Sequence, residues 1–382
     1  MNAALTIRAI GVVSPIGVGF EAFSAALRAP AGPGSATGVE GVPYNHVAWP
    51  EAPAHWLADF DARQWLGSKG VSALNRSTQM AVVACQLALQ SDMAADDAAS
   101  QARRRATGVV LGSMSGGMRS IADFVRSTYT DTPHMVSPMQ FPNSVMNCSA
   151  GQCAIWHGLK GVNSTVCAGE LSGLAALQYA SRMLRTGHAD RVLAGAVEEY
   201  SDFGAWYHEG TAERGTAVGE GAAVFALERQ DDTADASCGS TQPEPVGELL
   251  AVRVRIVPPP VGRRDVDPEA LVQALSAEIG RALQQAGLDA ASLTWWAPRH
   301  ASGPLAELEA AARRRVHISD AVITVPPTVQ MRCGDSHAAS ESLRLAGALA
   351  LAPAGLGLLV ALTAEGQVGC ALVRRAADPA PQ

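Results

Sequence analysis

Residues 158–177 read GLKGVNSTVCAGELSGLAAL, and the fold of the whole chain can be built outward from them. Ser164–Cys167 reads as a β-branched strand and runs straight into the small residues Ala168 and Gly169. Beyond the turn, Leu171, Leu174 and Leu177 recur at a spacing of three, the period of a helix over Ser172–Arg185. Glu170 stands at the apex of this strand-to-helix elbow. Free N–H groups and the macrodipole at a helix N-terminus favour a negative charge or a developing oxyanion there. Elbows of this sort are where α/β enzymes place nucleophiles. A carboxylate at that point is also an ordinary means of stabilising a helix, and the residues alone leave both readings open.

The same pattern repeats on either side. Val109–Gly112, Arg191–Val197 and Ala222–Leu227 read as buried strands, Thr78–Gln90 as a helix between them. Further on, Pro268–Ala286 reads as an amphipathic helix, and Leu356–Leu362 and Cys370–Arg374 as paired strands. Alternation of this kind predicts an α/β protein with a sheet covered by helices on its faces. The polar, acidic stretch 231–245 lacks any apolar period and reads as a linker between an N-terminal half, 1–230, and a C-terminal half, 246–382.

Composition narrows the classes. The 382 residues are 48% hydrophobic and 17% charged, enough for a large core and unlike a disordered chain. A net charge of −7 argues against a nucleic-acid surface. The longest apolar run, Leu345–Ala364, is broken by Pro353 and glycines, so no membrane insertion is expected. The N-terminus lacks the features of a signal peptide. The seven cysteines are scattered with no CxxC pair; they predict reduced, packed thiols in a cytoplasmic protein, and no metal set is assigned.

The stretches GVVLGSMSGG (108–117), VSPMQFPNSVMNCSAGQCAIWHGLKGVNSTV (136–166), ALQYASRMLRTGHADRVLAGAVEEYS (176–201) and GTAVGEGAAVFALE (215–228) follow one another in order. Together with VVSPIGVG at 12–19, this series resembles the β-ketoacyl synthase family. The resemblance implies a thiolase-like, five-layered α/β/α/β/α fold of two similar halves. It also implies four site positions. Glu170 falls where the family has its nucleophilic Cys, within Ala168–Gly173. His300, in the segment 300–305, resembles the first His. Gln330 falls at the family's Lys, and Asp335 at its second His. The glycine loop Ala364–Gly369 lacks the family's gating Phe. Cys167, three residues before the elbow, is expected to be a small core residue. Glu198 and Glu199 are read as structural, and Arg103–Arg105 and Arg313–Arg315 as solvated faces.

A carboxylate cannot accept an acyl group for reversible transfer as a thiolate does. An Asp donates to an enolate oxygen only if it stays protonated. Loss of Cys, Lys, second His and gating Phe together resembles the chain-length-factor subunits of type II polyketide synthases, as does the degenerate stretch VPPTVQMRCGDSHAASESLRLAGALAL (325–351). That resemblance implies a subunit without condensing activity that pairs as a heterodimer with an active ketosynthase and lines its acyl tunnel. Met114–Met118 and Met139–Met146 are the expected wall. An acyl-carrier protein would be the second partner, bringing phosphopantetheine, with no cofactor bound by the chain itself. The alternatives are a malonyl-carrier-protein decarboxylase supplying an acetyl starter, and a condensing enzyme with an unexpected nucleophile. An ionised Glu170 would repel a malonyl carboxylate or an enolate, which counts against decarboxylation.

Overall fold

The computed structural model describes residues 4–30, 54–95, 97–129, 132–211, 217–229, 244–263 and 265–377. The N-terminal half contributes five long strands to the main sheet: β1 (Leu5–Ser14), β2 (Gly108–Gly112), β3 (Asn163–Val166), β4 (Arg191–Glu198) and β5 (Gly221–Arg229). The C-terminal half contributes β6 (Gly247–Ile256), β7 (Trp295–Ala297), β8 (Ile323–Thr324), β9 (Gly355–Leu362) and β10 (Gln367–Arg375). Their order across the sheet is β8-β7-β9-β10-β6-β1-β5-β4-β2-β3.

That order makes the two halves equivalent. From the outer edge inward, each half has two parallel pairings and then two antiparallel ones: β3-β2-β4-β5-β1 on one side, β8-β7-β9-β10-β6 on the other. The halves join where β1 meets β6 antiparallel, through Leu5↔Leu249, Thr6↔Glu248 and Ile7↔Gly247. The linker expected at 231–245 falls between β5 and β6 and, but for Glu244 and Pro245, lies outside the described residues.

Of the thirteen α-helices among the described residues, nine bear on the layers and the site: α1 (Arg76–Ala88), α2 (Met118–Thr128), α3 (Cys148–His157), α4 (Ser172–Arg185), α5 (Asp202–Thr211), α6 (Pro268–Ala286), α7 (Pro304–Arg315), α8 (Thr328–Cys333) and α9 (Ser340–Leu351). Strand side chains alternate between faces. In β5, Ala223, Phe225 and Leu227 belong to a core shared by both halves, while Ala222, Val224 and Ala226 pack outward with α1. In β9, Leu359 and Ala361 enter the same shared core, while Leu358, Val360 and Leu362 pack outward with α6. The shared core also holds the apolar residues of α4 and α9, so these two helices are the central layer. α1 and α3 cover one outer face, α6 and α7 the other. This is the five-layered arrangement of two similar halves that the resemblance implies.

The central helices approach closely because Gly173 has no side chain; a Cβ there would lie 2.5 Å from Ser342 Oγ of α9. Both central helices begin at the same end of the molecule. The elbow after β3 and the turn before α9 therefore meet, and the site lies between them.

Candidate functional site

The elbow is a short, heavily hydrogen-bonded turn. Gly169 adopts φ +63°, in the left-handed region that favours glycine. Ser172, the first residue of α4, accepts the Ala168 N–H at 2.9 Å and donates to the Gly169 carbonyl at 2.5 Å. The structure places Glu170 at the apex, 9% exposed, immediately before the N-terminus of α4. Gln367, at the start of β10, closes the turn from the other half. Its Nε2 donates to the Ala168 carbonyl at 2.8 Å, and its Oε1 accepts the Leu171 N–H at 3.2 Å. A Cβ on Gly169 would lie 2.2 Å from Gln367 Nε2, so glycine is required for this clamp as well as for its φ.

The hub of the site is Arg299, in the turn after β7. Its Nη2 donates to Glu170 Oε2 at 2.6 Å and lies 3.4 Å from Asp335 Oδ2, while Nη1 donates to Glu341 Oε1 at 3.1 Å. The guanidinium is 3% exposed. Glu341 on α9 is shared with Arg344 one turn along the helix. Glu309 on α7 accepts the backbone N–H groups of Arg299 and His300 at 3.1 Å each, which sets the direction in which the turn leaves β7. Four carboxyl groups thus surround two guanidinium groups, for a formal −2 if all are ionised.

Burial decides where protons stay. It pushes Glu309 up to about 8 against the pull of Arg344, and Glu170 up to about 7 against Arg299. Burial would also raise Asp335, but Arg299 and its other neighbours outweigh it and hold that carboxyl well below the usual range. Arg299 is likewise held above its ordinary value by its carboxylates despite burial. Protonating Glu309 and Glu170 brings the cluster to neutrality below those values, and its formal −2 returns as pH rises through them.

His300 lies beside Arg299 in the turn after β7. Its Nε2–H donates to the Leu362 carbonyl at 2.8 Å, and burial lowers its pKa to about 4. It is a half-buried, neutral imidazole, and its neighbour Arg299 is the residue that reaches Glu170. The structure does bring Asp335 to the cluster. Its backbone N–H donates to the Ala217 carbonyl and its carbonyl accepts the Gly219 N–H, both at 2.7 Å, so it is pinned to the strand residues just before β5. Gln330 sits half-buried on α8, and its side chain takes no part in the cluster's hydrogen bonds. Cys167 corrects an expectation. It is exposed, with Sγ 3.8 Å from the Met114 carbonyl, because it follows β3 at the open edge of the sheet. The cysteines at 85, 148, 153, 333 and 370 are buried, and Cys238 lies outside the described residues.

Glu198 and Glu199 have separate structural surroundings. Glu198 accepts the N–H groups of Met114 and Ser115 at 2.8 and 3.2 Å, which orders the glycine turn after β2. Glu199 accepts the Ser77 N–H at the start of α1 at 3.0 Å. The two basic runs are only partly solvated faces. Arg103 reaches the buried Asp92, and the Arg313 guanidinium lies 5.9 Å from the centre of the Trp296 ring.

Chemically, the cluster contains no thiol or hydroxyl within the ion-pair set around Arg299, and its carboxylates are engaged by a cation. Residues 51–233 match the family model of the β-ketoacyl synthase N-terminal domain. The solved structure of the ishigamide ketosynthase/chain length factor superposes with a TM-score of 0.77 at 30% identity, covering 97% of this chain and 99% of that one. This chain belongs to the β-ketoacyl synthase family. Within it, the chain resembles a chain-length factor. It is 26% identical over 297 residues to the actinorhodin polyketide putative beta-ketoacyl synthase 2 of Streptomyces coelicolor, covering 68% of this chain and 71% of that protein. It is 27% identical over 197 residues to 3-oxoacyl-acyl-carrier-protein synthase 2 of Vibrio cholerae, covering 52% of this chain and 46% of that one. The chain spans about half the length of the first curated relatives it matches. A β-ketoacyl synthase from Burkholderia phymatum, at 17% identity and a TM-score of 0.72, shares the fold. Among the described residues, no helix is long and apolar enough to cross a membrane.

Proposed function

We propose that this ketosynthase-like chain acts as a chain-length-factor-type subunit, pairing with an active, Cys-bearing β-ketoacyl synthase in polyketide or fatty-acid-type biosynthesis. The observation that carries the reading is the ion pair of Glu170 with Arg299, at the position where the family has its nucleophile. A buried carboxylate held by a guanidinium cannot form and release a thioester. Gln367 takes up the Leu171 N–H, a backbone donor that an oxyanion would otherwise use. In the register the resemblance implies, Gln330 and Asp335 leave the Lys and second-His roles unfilled, and His300 Nε2 is committed to the Leu362 carbonyl. Decarboxylation fits less well, because Arg299 already serves three carboxylates and the His300 Nε2–H is already taken up.

The surface supports a partner. Among the described residues, β3 pairs on one side only, with β2, and Ser164–Val166 are half-exposed. An unpaired, proline-free edge of this kind is an aggregation liability unless covered. In the same half, Ile155 on α3, which packs against β3, and Tyr129, Met135 and Phe141 are each more than half exposed. Exposed apolar side chains in the half that carries an open strand edge fit a stable interface of at least ~2,000 Å². Next to α2 opens a pocket of about 380 Å³, lined in part by Arg119, Ser120, Asn143, Glu199 and Tyr200. It lies beside the segments expected to form the tunnel wall. An acyl-carrier protein would deliver phosphopantetheine to the pair, and this chain would bind no cofactor of its own.

Co-expression with an intact ketosynthase tests the reading. A 1:1 complex is expected, with the chain alone poorly soluble. A stable homodimer that ignores every ketosynthase offered, while releasing carbon dioxide from malonyl-carrier protein, would replace this reading with the decarboxylase.

A further inference from the structure

Beside the Glu170 cluster, and sharing Asp335 with it, lies a second group of side chains whose two histidines have no part in the reading above. His208 on α5, and Asp335 and His337 in the turn between α8 and α9, each offer one ligand atom, and these atoms lie within 4.8 Å of one another. Both imidazoles are 3% exposed. Their ring centres are 5.6 Å apart and their planes inclined at 69°, an edge-to-face arrangement.

The surroundings of His337 are those of a ligand. Its Nε2 lies 3.2 Å from the Gly204 carbonyl. A carbonyl only accepts, so Nε2 carries the proton and Nδ1 carries the lone pair. Among the described residues, Nδ1 is buried and has no hydrogen-bond partner. Metal-binding histidines characteristically donate one ring N–H to a backbone carbonyl and present the other nitrogen to the ion. The backbone is committed to this placement: His337 has φ 45°, in the left-handed region that residues with a Cβ rarely adopt. Its N–H donates to Asp335 Oδ1 at 2.9 Å, and Ser340 Oγ donates to the same oxygen at 2.7 Å. These bonds hold the carboxylate and the imidazole in one relative orientation.

We propose that His208, Asp335 and His337 form a binding site for a divalent first-row transition ion, with Zn2+ the best match. Two imidazoles and a carboxylate suit Zn2+, and three protein ligands leave a fourth position open. With bonds of ~2.0–2.1 Å, tetrahedral ligand atoms sit ~3.4 Å apart, so modest side-chain rotations close the set around an ion. With Glu170 and Glu309 ionised, the charge balance also favours a dication, because four carboxylates then face the two guanidinium groups of Arg299 and Arg344. Bound there, the ion would tie α5 to the turn that carries Asp335. The site does not depend on the subunit reading, since its ligands belong to this chain alone.

The test is a Co2+ titration of the full chain after removal of metals by a chelator. One equivalent should bind with visible d–d bands, should show no sulfur charge-transfer band, and should be displaced by Zn2+. His208→Ala and His337→Ala should each weaken Co2+ binding at least ~10-fold, while the exposed His188→Ala keeps the wild-type affinity. Absence of d–d bands in the wild-type chain overturns the site. So does a charge-transfer band from a cysteine thiolate, or unchanged affinity in the histidine variants. If His337→Ala fails to fold, the wild-type spectrum and His208→Ala decide between the same two outcomes.

Discussion

Replacing Arg299 by Met keeps an unbranched apolar stem as far as the Nε position and removes the charge from the centre of the site. Arg299 is 3% exposed and is shared by Glu170 at 2.6 Å, Glu341 at 3.1 Å and Asp335 at 3.4 Å. Removing one partner of a buried ion pair leaves an uncompensated charge and typically costs ~3–5 kcal/mol. The carboxyls can relieve part of this by binding a proton. Losing the guanidinium raises their folded-state pKa values above those of the unfolded chain. A raised acid is most stabilising at low pH, and that stability is lost as pH rises through its folded value. One further carboxyl held protonated above pH 6 would steepen the decline between pH 6 and 8 by up to ~2.7 kcal/mol relative to wild type. Urea unfolding followed by far-UV circular dichroism, in chelator-containing buffer at both pH values, reads this directly. The expected result is a loss of ~3–5 kcal/mol at pH 8 and a smaller one at pH 6. A loss below ~1 kcal/mol, or one equal at the two pH values, would refute the account of Arg299 as the charge that holds the site together.

Other consequences are independent of that variant. Glu309, raised to about 8 by burial, makes wild-type stability fall as pH rises from the ordinary carboxyl range towards that value; Glu309→Gln should flatten the slope by up to ~1.4 kcal/mol per pH unit, measured by the same unfolding series. Gln367→Ala strands the Ala168 carbonyl and the Leu171 N–H and should cost ~1–3 kcal/mol, with the thermal midpoint as the readout. Glu170→Cys should not restore condensation, read as β-ketoacyl product formed from acyl- and malonyl-carrier protein, because Gln330 and Asp335 stand where the resemblance implies Lys and the second His. A maleimide should label Cys167 ahead of the five buried cysteines in the isolated chain, by peptide mapping, and complex formation over the β3 edge should slow that labelling.

Most of the fold was legible because it rests on local periodicity. The helices over Ser172–Arg185 and Pro268–Ala286 have the limits their apolar spacing indicates, and the strands differ by a few residues at their ends. Glu170 could be placed at the elbow because a strand, two small residues and a helix leave one apex. The apolar helix SESLRLAGALAL carried another signal: Glu341 and Arg344 are three apart in a segment otherwise built for burial, the mark of a buried ion pair. What faces Glu170 was not legible. Arg299 and His300 are neighbours, and the choice between them depends on the direction in which the chain leaves β7, which Glu309 sets by capturing both backbone N–H groups from a different helix. Gln367 reaches the elbow from nearly 200 residues away, and Cys167 is exposed because β3 lies at the sheet edge. Composition and period determine which segments become helices and strands. Contacts between residues far apart in the chain decide which side chains share the site, because they depend on how the two halves face each other across α4 and α9.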